Sequence, residues 1–368
     1  MLNKYLKTDT TFDKDSSYAL KGIAIILMML HHNFRNPSLF SMYSISFAPF
    51  SENSVVAFSY ACKICVSIFA FISGYGLYLA YDRHNSNATK WVFCRYIKTF
   101  SGYWFVWIAS AIICQIIDRR TATVLFNNGT ALGALYSAID FFGLHNLFST
   151  PSINGTWWYM SAAAIFILLT PLIYRFKGNI LLALIGSIAF IRVLHHGDCF
   201  TGENSVYAFL TPFILGSLFA EQKLFEKIGK IGDHSPFIKI YKAVAEIWII
   251  MMCFILYPKI PMTSFWEFHF GFFPLAVIVF CVEYILPLEP LNKILFFFGK
   301  HSMNVFLVHT FIRAVYLSDL TYSWGHFLLI SLFLFSVSIG LSIIIEQLKK
   351  VLKYNDLIDS ILVSWWLV

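Results

Sequence analysis

The chain has 368 residues and is 58% hydrophobic, 18% aromatic and only 13% charged, with a formal net charge of +7. That share of charge is about half of what a soluble domain carries. It is too little to cover a water-exposed surface, and the apolar runs recur along the whole sequence, so a soluble globular fold is excluded. The positive balance does not indicate nucleic acid, because the basic residues stand between apolar blocks and form no long run.

Windows of membrane-span length place apolar helices, in chain order, at 18–34, 55–80, 97–117, 157–174, 178–195, 205–221, 243–257, 268–287, 301–317 and 324–346. The expectation is an all-α polytopic membrane protein with about ten transmembrane helices in one bundle. An even number of spans puts both termini on one side. With that side cytoplasmic, most of the 27 Lys and Arg residues fall inside, as the positive-inside bias requires. The chain then divides into a cytoplasmic N-terminal segment (1–17), a membrane domain (18–346) and a cytoplasmic C-terminal tail (347–368).

The longest outer connection, 118–156, is loop-like in its Asn, Gly, Ser and Pro content. Within it, 131–148 is apolar enough to dip into the membrane or to form an eleventh span. No internal repeat or low-complexity segment appears. No small-residue cleavage site follows the first apolar stretch, so it does not read as a removable signal peptide. Cys62, Cys65, Cys94, Cys114, Cys253 and Cys281 lie in or beside apolar segments and read as unpaired buried thiols, leaving Cys199 in a polar loop.

Against this background the polar residues inside apolar runs carry the information. In "ALKGIAIILMMLHHNFRN", Lys21 and His32 are eleven positions apart, about three helical turns, and so share a face roughly 16 Å apart along the axis. An ionisable group at membrane depth is costly and usually faces a bundle interior or a water-filled cavity. The plainer reading is that Lys21 snorkels to the cytoplasmic boundary and His32 caps the outer end. "FISGY" sets Ser73 and Gly74 in the second apolar segment, where small residues let helices approach closely. Arg95 and Lys98 share the cytoplasmic end of the third helix, a pairing that suits a phosphate-bearing ligand and anionic lipid head groups equally. "GKHSMNVFLVH" contributes His301, Ser302 and a deeply placed His309. No metal-ligand cluster or carboxylate dyad is visible.

These stretches, in this order, resemble acyltransferase family 3, integral membrane acyltransferases that modify glycans and other hydroxyl-bearing acceptors. The likeness extends from about residue 16 to 346. Lys21 and His32 match the family's pattern of a basic residue, ten residues and a histidine, which makes His31 the neighbour. Arg95 and Lys98 resemble its Arg-x-x-Arg pair. Trp158, Ser161 and Pro171 resemble its Trp, Ser and Pro pattern, and Gly299, Ser302, Leu307 and His309 its Gly, Ser, Leu and His pattern. Two positions depart from it. Ala163 stands where many members carry an acid two residues after the serine, and Ser101 and Gly102 stand where a proline often follows the basic pair.

The resemblance implies an acyl-CoA donor, usually acetyl-CoA, used from the cytoplasm of a bacterial cell membrane, without a metal. The acceptor it implies is the hydroxyl of a cell-surface polysaccharide or lipid-linked glycan. Arg95, Lys98 and Lys21 would hold the CoA phosphates. His32 would act as general base, with direct transfer and a transient acyl-histidine both open. Trp158 would serve as a sugar-facing wall or as part of an interfacial aromatic belt. Ser73, Gly74, Ser161, Ser302 and His309 would support packing or positioning. A transporter or flippase for a lipid-linked sugar or organic anion would share the helices and the buried histidines. It would more naturally show repeated halves, and none is found. A non-catalytic polysaccharide-assembly partner would tolerate loss of His32.

Overall fold

The computed structural model describes residues 12–84, 87–127, 129–196, 205–231, 235–262 and 264–366. The chain runs α1 (Lys14–Phe34), α2 (Glu52–Ala61), α3 (Ile64–Arg83), α4 (Ala88–Asp118), α5 (Arg120–Leu125), α6 (Thr130–Phe141), α7 (Trp158–Tyr174), α8 (Ile180–His196), α9 (Leu210–Gln222), α10 (Leu224–Gly229), α11 (Pro236–Leu256), α12 (Phe273–Phe280), α13 (Glu289–Thr310), α14 (Ser318–Tyr322), α15 (Phe327–Val351) and α16 (Tyr354–Trp366). Wide π-type turns flank α12 at Glu267–Phe272 and Cys281–Ile285, and another extends α13 at Phe311–Tyr316. The protein is all-α and polytopic. Glu52–Arg83, Ala88–Asp118, Gly155–Tyr174, Glu267–Ile285 and Phe327–Val351 are each long and apolar enough to cross a membrane.

Every one of the ten apolar segments expected from the sequence falls on helical structure, with α2 and α3 together forming the second. The widest difference in bounds is at 301–317, because α13 begins at Glu289. Lys293, Lys300 and His301 lower the hydropathy of a stretch that is helical throughout. The six described cysteines are free and buried; Cys199 lies outside the described residues. Large apolar side chains such as Ile116, Leu332 and Trp248 are exposed on the flanks, where lipid rather than water suits them.

Two helix crossings set the architecture, and both depend on glycine. A Cβ on Gly22 of α1 would lie 2.0 Å from the Leu295 carbonyl oxygen of α13, and one on Gly299 would lie 1.7 Å from that of Tyr18. The backbones therefore touch, which only a hydrogen side chain permits. Gly74 of α3 and Gly216 of α9 make the equivalent contact, at 1.8 Å from Phe213 O and 2.0 Å from Phe71 O. Both pairs run parallel. Ten residues on from Gly22 comes His32, and ten residues on from Gly299 comes His309, so the same register that joins the glycines brings the two imidazoles together.

The 118–156 connection turns inward. The 12-residue α6 is about 18 Å long, too short to cross a hydrocarbon core of about 30 Å by itself. It packs back along α4: Tyr103 donates to Asp140 O (2.6 Å), Tyr96 to Phe142 O (2.6 Å), and Trp104 stacks on Phe141. The segment 131–148 therefore holds no helix long enough to be an eleventh span by itself. At the other end of the chain, residues 347–351 complete α15, and α16 folds back on α4 through Cys94, Ile97 and Leu362. Tyr354 donates to the Ser101 carbonyl at 2.9 Å, so the departure at Ser101 and Gly102 coincides with the place where α16 docks.

Candidate active site

A cavity of about 380 Å³ lies among α1, α3, α4, α7 and α13. Of the residues singled out from the sequence, Lys21, His32, Ser73, Trp158 and Ser302 line it. Lys21 and His32 do share a face, because the close α1–α13 crossing fixes which side of α1 looks inward. From Lys21 to Arg35, which also lines it, is about 21 Å of helical rise, so the cavity is a shaft with two distinct ends.

At the Lys21 end, the ammonium lies over the Tyr18 ring, 5.2 Å from its centre, and within electrostatic range of Arg95. Arg95 is half-buried and its Nε has no hydrogen-bond partner. Neither Arg95 nor the exposed Lys98 is in the lining, to which this helix contributes Thr99. The two basic residues of the third helix are thus not equivalent: one faces the bundle and the other its surface.

At the other end three imidazoles meet. The His32 ring is 4.9 Å from that of His309 and 5.3 Å from that of His31. His309 Nδ1 donates to Phe306 O (2.8 Å) and Val305 O (3.2 Å), since carbonyls only accept. Its Nε2 is then the lone-pair nitrogen of the neutral ring, 3.2 Å from the Thr310 hydroxyl. Thr310 in turn lies 3.1 Å from the hydroxyl of Thr156, which donates to Asn154 Oδ1 at 2.7 Å. His31 is held by donation from Nδ1 to Ser59 O at 2.9 Å. His32 makes no hydrogen bond among the described residues, which leaves its ring nitrogens available to whatever enters the cavity. At 4.9 Å two unit charges repel by about 3 kcal/mol at an effective dielectric of ~20, so His32 and His309 would not carry charge together.

Ser302 donates to Gly299 O at 2.8 Å and keeps its oxygen lone pairs for the cavity. Ser161 lies behind the wall, fully buried, donating to Gly143 O at 2.7 Å and so tying α7 to the turn after α6. Trp158 presents its ring to the cavity, while its neighbour Trp157 is fully buried and donates Nε1–H to Leu307 O at 3.0 Å. Asn154 Nδ2 reaches the same carbonyl at 3.3 Å. Both bonds brace the start of α7 against the turn of α13 that carries His309. Ala163 is part of the lining, so the position of the family's acid is open cavity wall.

Sequence reasoning missed Arg35, Lys63, Arg313, Thr156 and Thr310. A cation at the edge of an apolar run reads as an interfacial anchor, and no local signal separates an anchor from a cavity residue. The offset of four between His309 and Arg313, one helical turn, was the available hint. With them the lining holds Lys21, Arg35, Lys63 and Arg313 but no Asp or Glu among the described residues. Such a shaft favours anionic ligands along its length.

No curated protein and no solved structure matches the chain. A family model does, over residues 16–347, and its description is an acyltransferase domain. That interval contains every residue of the cavity, and the chain belongs to this third acyltransferase family.

Proposed function

We propose that this membrane acyltransferase moves an acyl group, acetyl by the family's usual donor, from cytosolic acyl-CoA to a hydroxyl of a cell-surface polysaccharide or lipid-linked glycan. One observation carries the reading: a single shaft with no Asp or Glu in its described lining has the Lys21 cation at one end, with Arg95 within electrostatic range, and an imidazole without a hydrogen bond about 16 Å further along. The layout proposed with it has ten spans and cytoplasmic termini, which puts Lys21 at the cytosolic end and His32 toward the outside.

The donor supplies an activated thioester carbonyl. Lys21 and Arg95 offer their charges to its phosphates, and Lys98 adds to the positive field at the entrance. His32 accepts the proton of the acceptor hydroxyl as that oxygen bonds to the acyl carbon. It returns the proton to the departing sulfur as the C–S bond breaks, so no net charge is left in the cavity. His309, neutral and held by two carbonyls, confines the His32 ring from one side, and His31 does so from the other. These rings take the orienting place that a carboxylate would have at position 163. Ser302 and Thr156 offer hydroxyls to the acceptor or the acyl oxygen, and Trp158 gives a sugar ring a flat apolar wall.

The test is incubation of membranes containing the chain with radiolabelled acetyl-CoA, followed by separation of glycan and glycolipid fractions. Label in either fraction above an empty-membrane control is expected. Absence of label with native membranes supplied as acceptor would contradict the reading.

A further inference from the structure

The outer end of the shaft holds more positive charge than the donor reading uses. Arg35 stands three residues beyond His32, and Arg313 four beyond His309, so each cation sits about one helical turn, some 5 Å, further out than an imidazole. Both line the cavity and act electrostatically on the His32 ring. Arg313 is only 7% exposed; its guanidinium meets the Tyr322 hydroxyl, while its Nε has no hydrogen-bond partner. Lys63 lines the same end, which the bond from His31 to Ser59 O brings level with the histidines. The donor phosphates belong at Lys21, about 21 Å away along α1, so they do not account for these groups. Removing a guanidinium from water costs several kcal/mol, and no carboxylate in the lining offsets it.

We propose that the outer end of the cavity, where Arg35 and Arg313 flank His32, is an anion-binding subsite that holds a phosphate or carboxylate of the acceptor beside the hydroxyl to be acylated. The inference rests on the acyltransfer reading above and narrows its acceptor class. The planar guanidinium fork suits either oxyanion. The spacing of one helical turn puts the anion within about one sugar unit of the reacting hydroxyl.

The experiment uses the detergent-solubilised full chain, radiolabelled acetyl-CoA and the glycolipid and glycan extract of native membranes as acceptor. One portion of extract is treated with mild acid to cleave glycosyl phosphates, and another is carbodiimide-activated and reduced to convert carboxylates to alcohols. Loss of acceptance after one treatment is expected, and which one identifies the anion as phosphate or carboxylate. Arg313→Gln and Arg35→Gln should each raise the half-saturating acceptor concentration about tenfold, as for a lost charge-assisted hydrogen bond, with the KM for acetyl-CoA within about twofold. Arg313→Lys should keep most of the acceptor affinity. Acceptance that survives both treatments, or glutamine variants with unchanged acceptor saturation, would overturn the subsite while leaving the transferase intact. Parallel loss of donor and acceptor binding in Arg313→Gln, unrelieved by Lys, would assign Arg313 to folding and also count against it. No label with the wild type would overturn acyltransfer itself.

Discussion

At the scale of single residues, the site depends on which nitrogen of each imidazole carries the proton. Backbone carbonyls fix Nδ1–H on His31 and His309, and Thr310 is the partner of His309 Nε2. Thr310→Val keeps the side-chain shape and removes that hydroxyl. About 1.4 kcal/mol of lost hydrogen bonding would lower kcat about tenfold while leaving the KM for acetyl-CoA unchanged. Steady-state kinetics at saturating donor check this, and an unchanged kcat would remove Thr310 from the site. Trp157→Phe removes the shorter of the two side-chain bonds to Leu307 O and leaves the longer one from Asn154. It should cost about 1–3 kcal/mol of stability, read as a lower unfolding midpoint in detergent. Lys21 and His32 were legible from the sequence because they interrupt an apolar run at a helical offset. Arg313 was not, because only the packing of α13 against α1 turns it from an apparent anchor into cavity lining.

At the scale of helices, the α1–α13 crossing does the positioning. Gly22→Ala or Gly299→Ala would place a methyl group inside the contact distance of a facing backbone carbonyl. The helices must then separate, costing about 1–3 kcal/mol or more and moving His32 from His309. A lower unfolding midpoint together with lost transfer is expected. Gly76→Ala, whose Cβ would meet nothing within 4 Å, should leave both intact. Similar effects for all three would refute this account of the crossing. The sequence marked Gly74 as a close-packing position, and it is one, against Phe213 of α9. Hydropathy did not distinguish a dip from a span at 131–148, since an apolar stretch has the same composition whether it crosses or turns back against α4. The paired basic residues were legible as a motif, but the separation of Arg95 from exposed Lys98 follows from the packing of α4.

For the whole molecule, the proposed orientation places the residues after α1 outside and those before α13 inside. The six described cysteines are buried, so in a Cys199→Ser background newly introduced thiols should dominate labelling. A thiol at Ser38 should react with a membrane-impermeant maleimide in intact cells, and one at Lys293 only after permeabilisation; the reverse pattern would invert the topology. In the proposed reaction donor and acceptor meet at His32, and its role is therefore the most direct point of attack. The measurement is label transfer from radiolabelled acetyl-CoA by wild type and His32→Ala, at matched protein level and with donor binding followed separately. A fall in rate of about 10²–10⁴ with donor binding retained is the predicted result for a general base. Equal transfer by both proteins would contradict it.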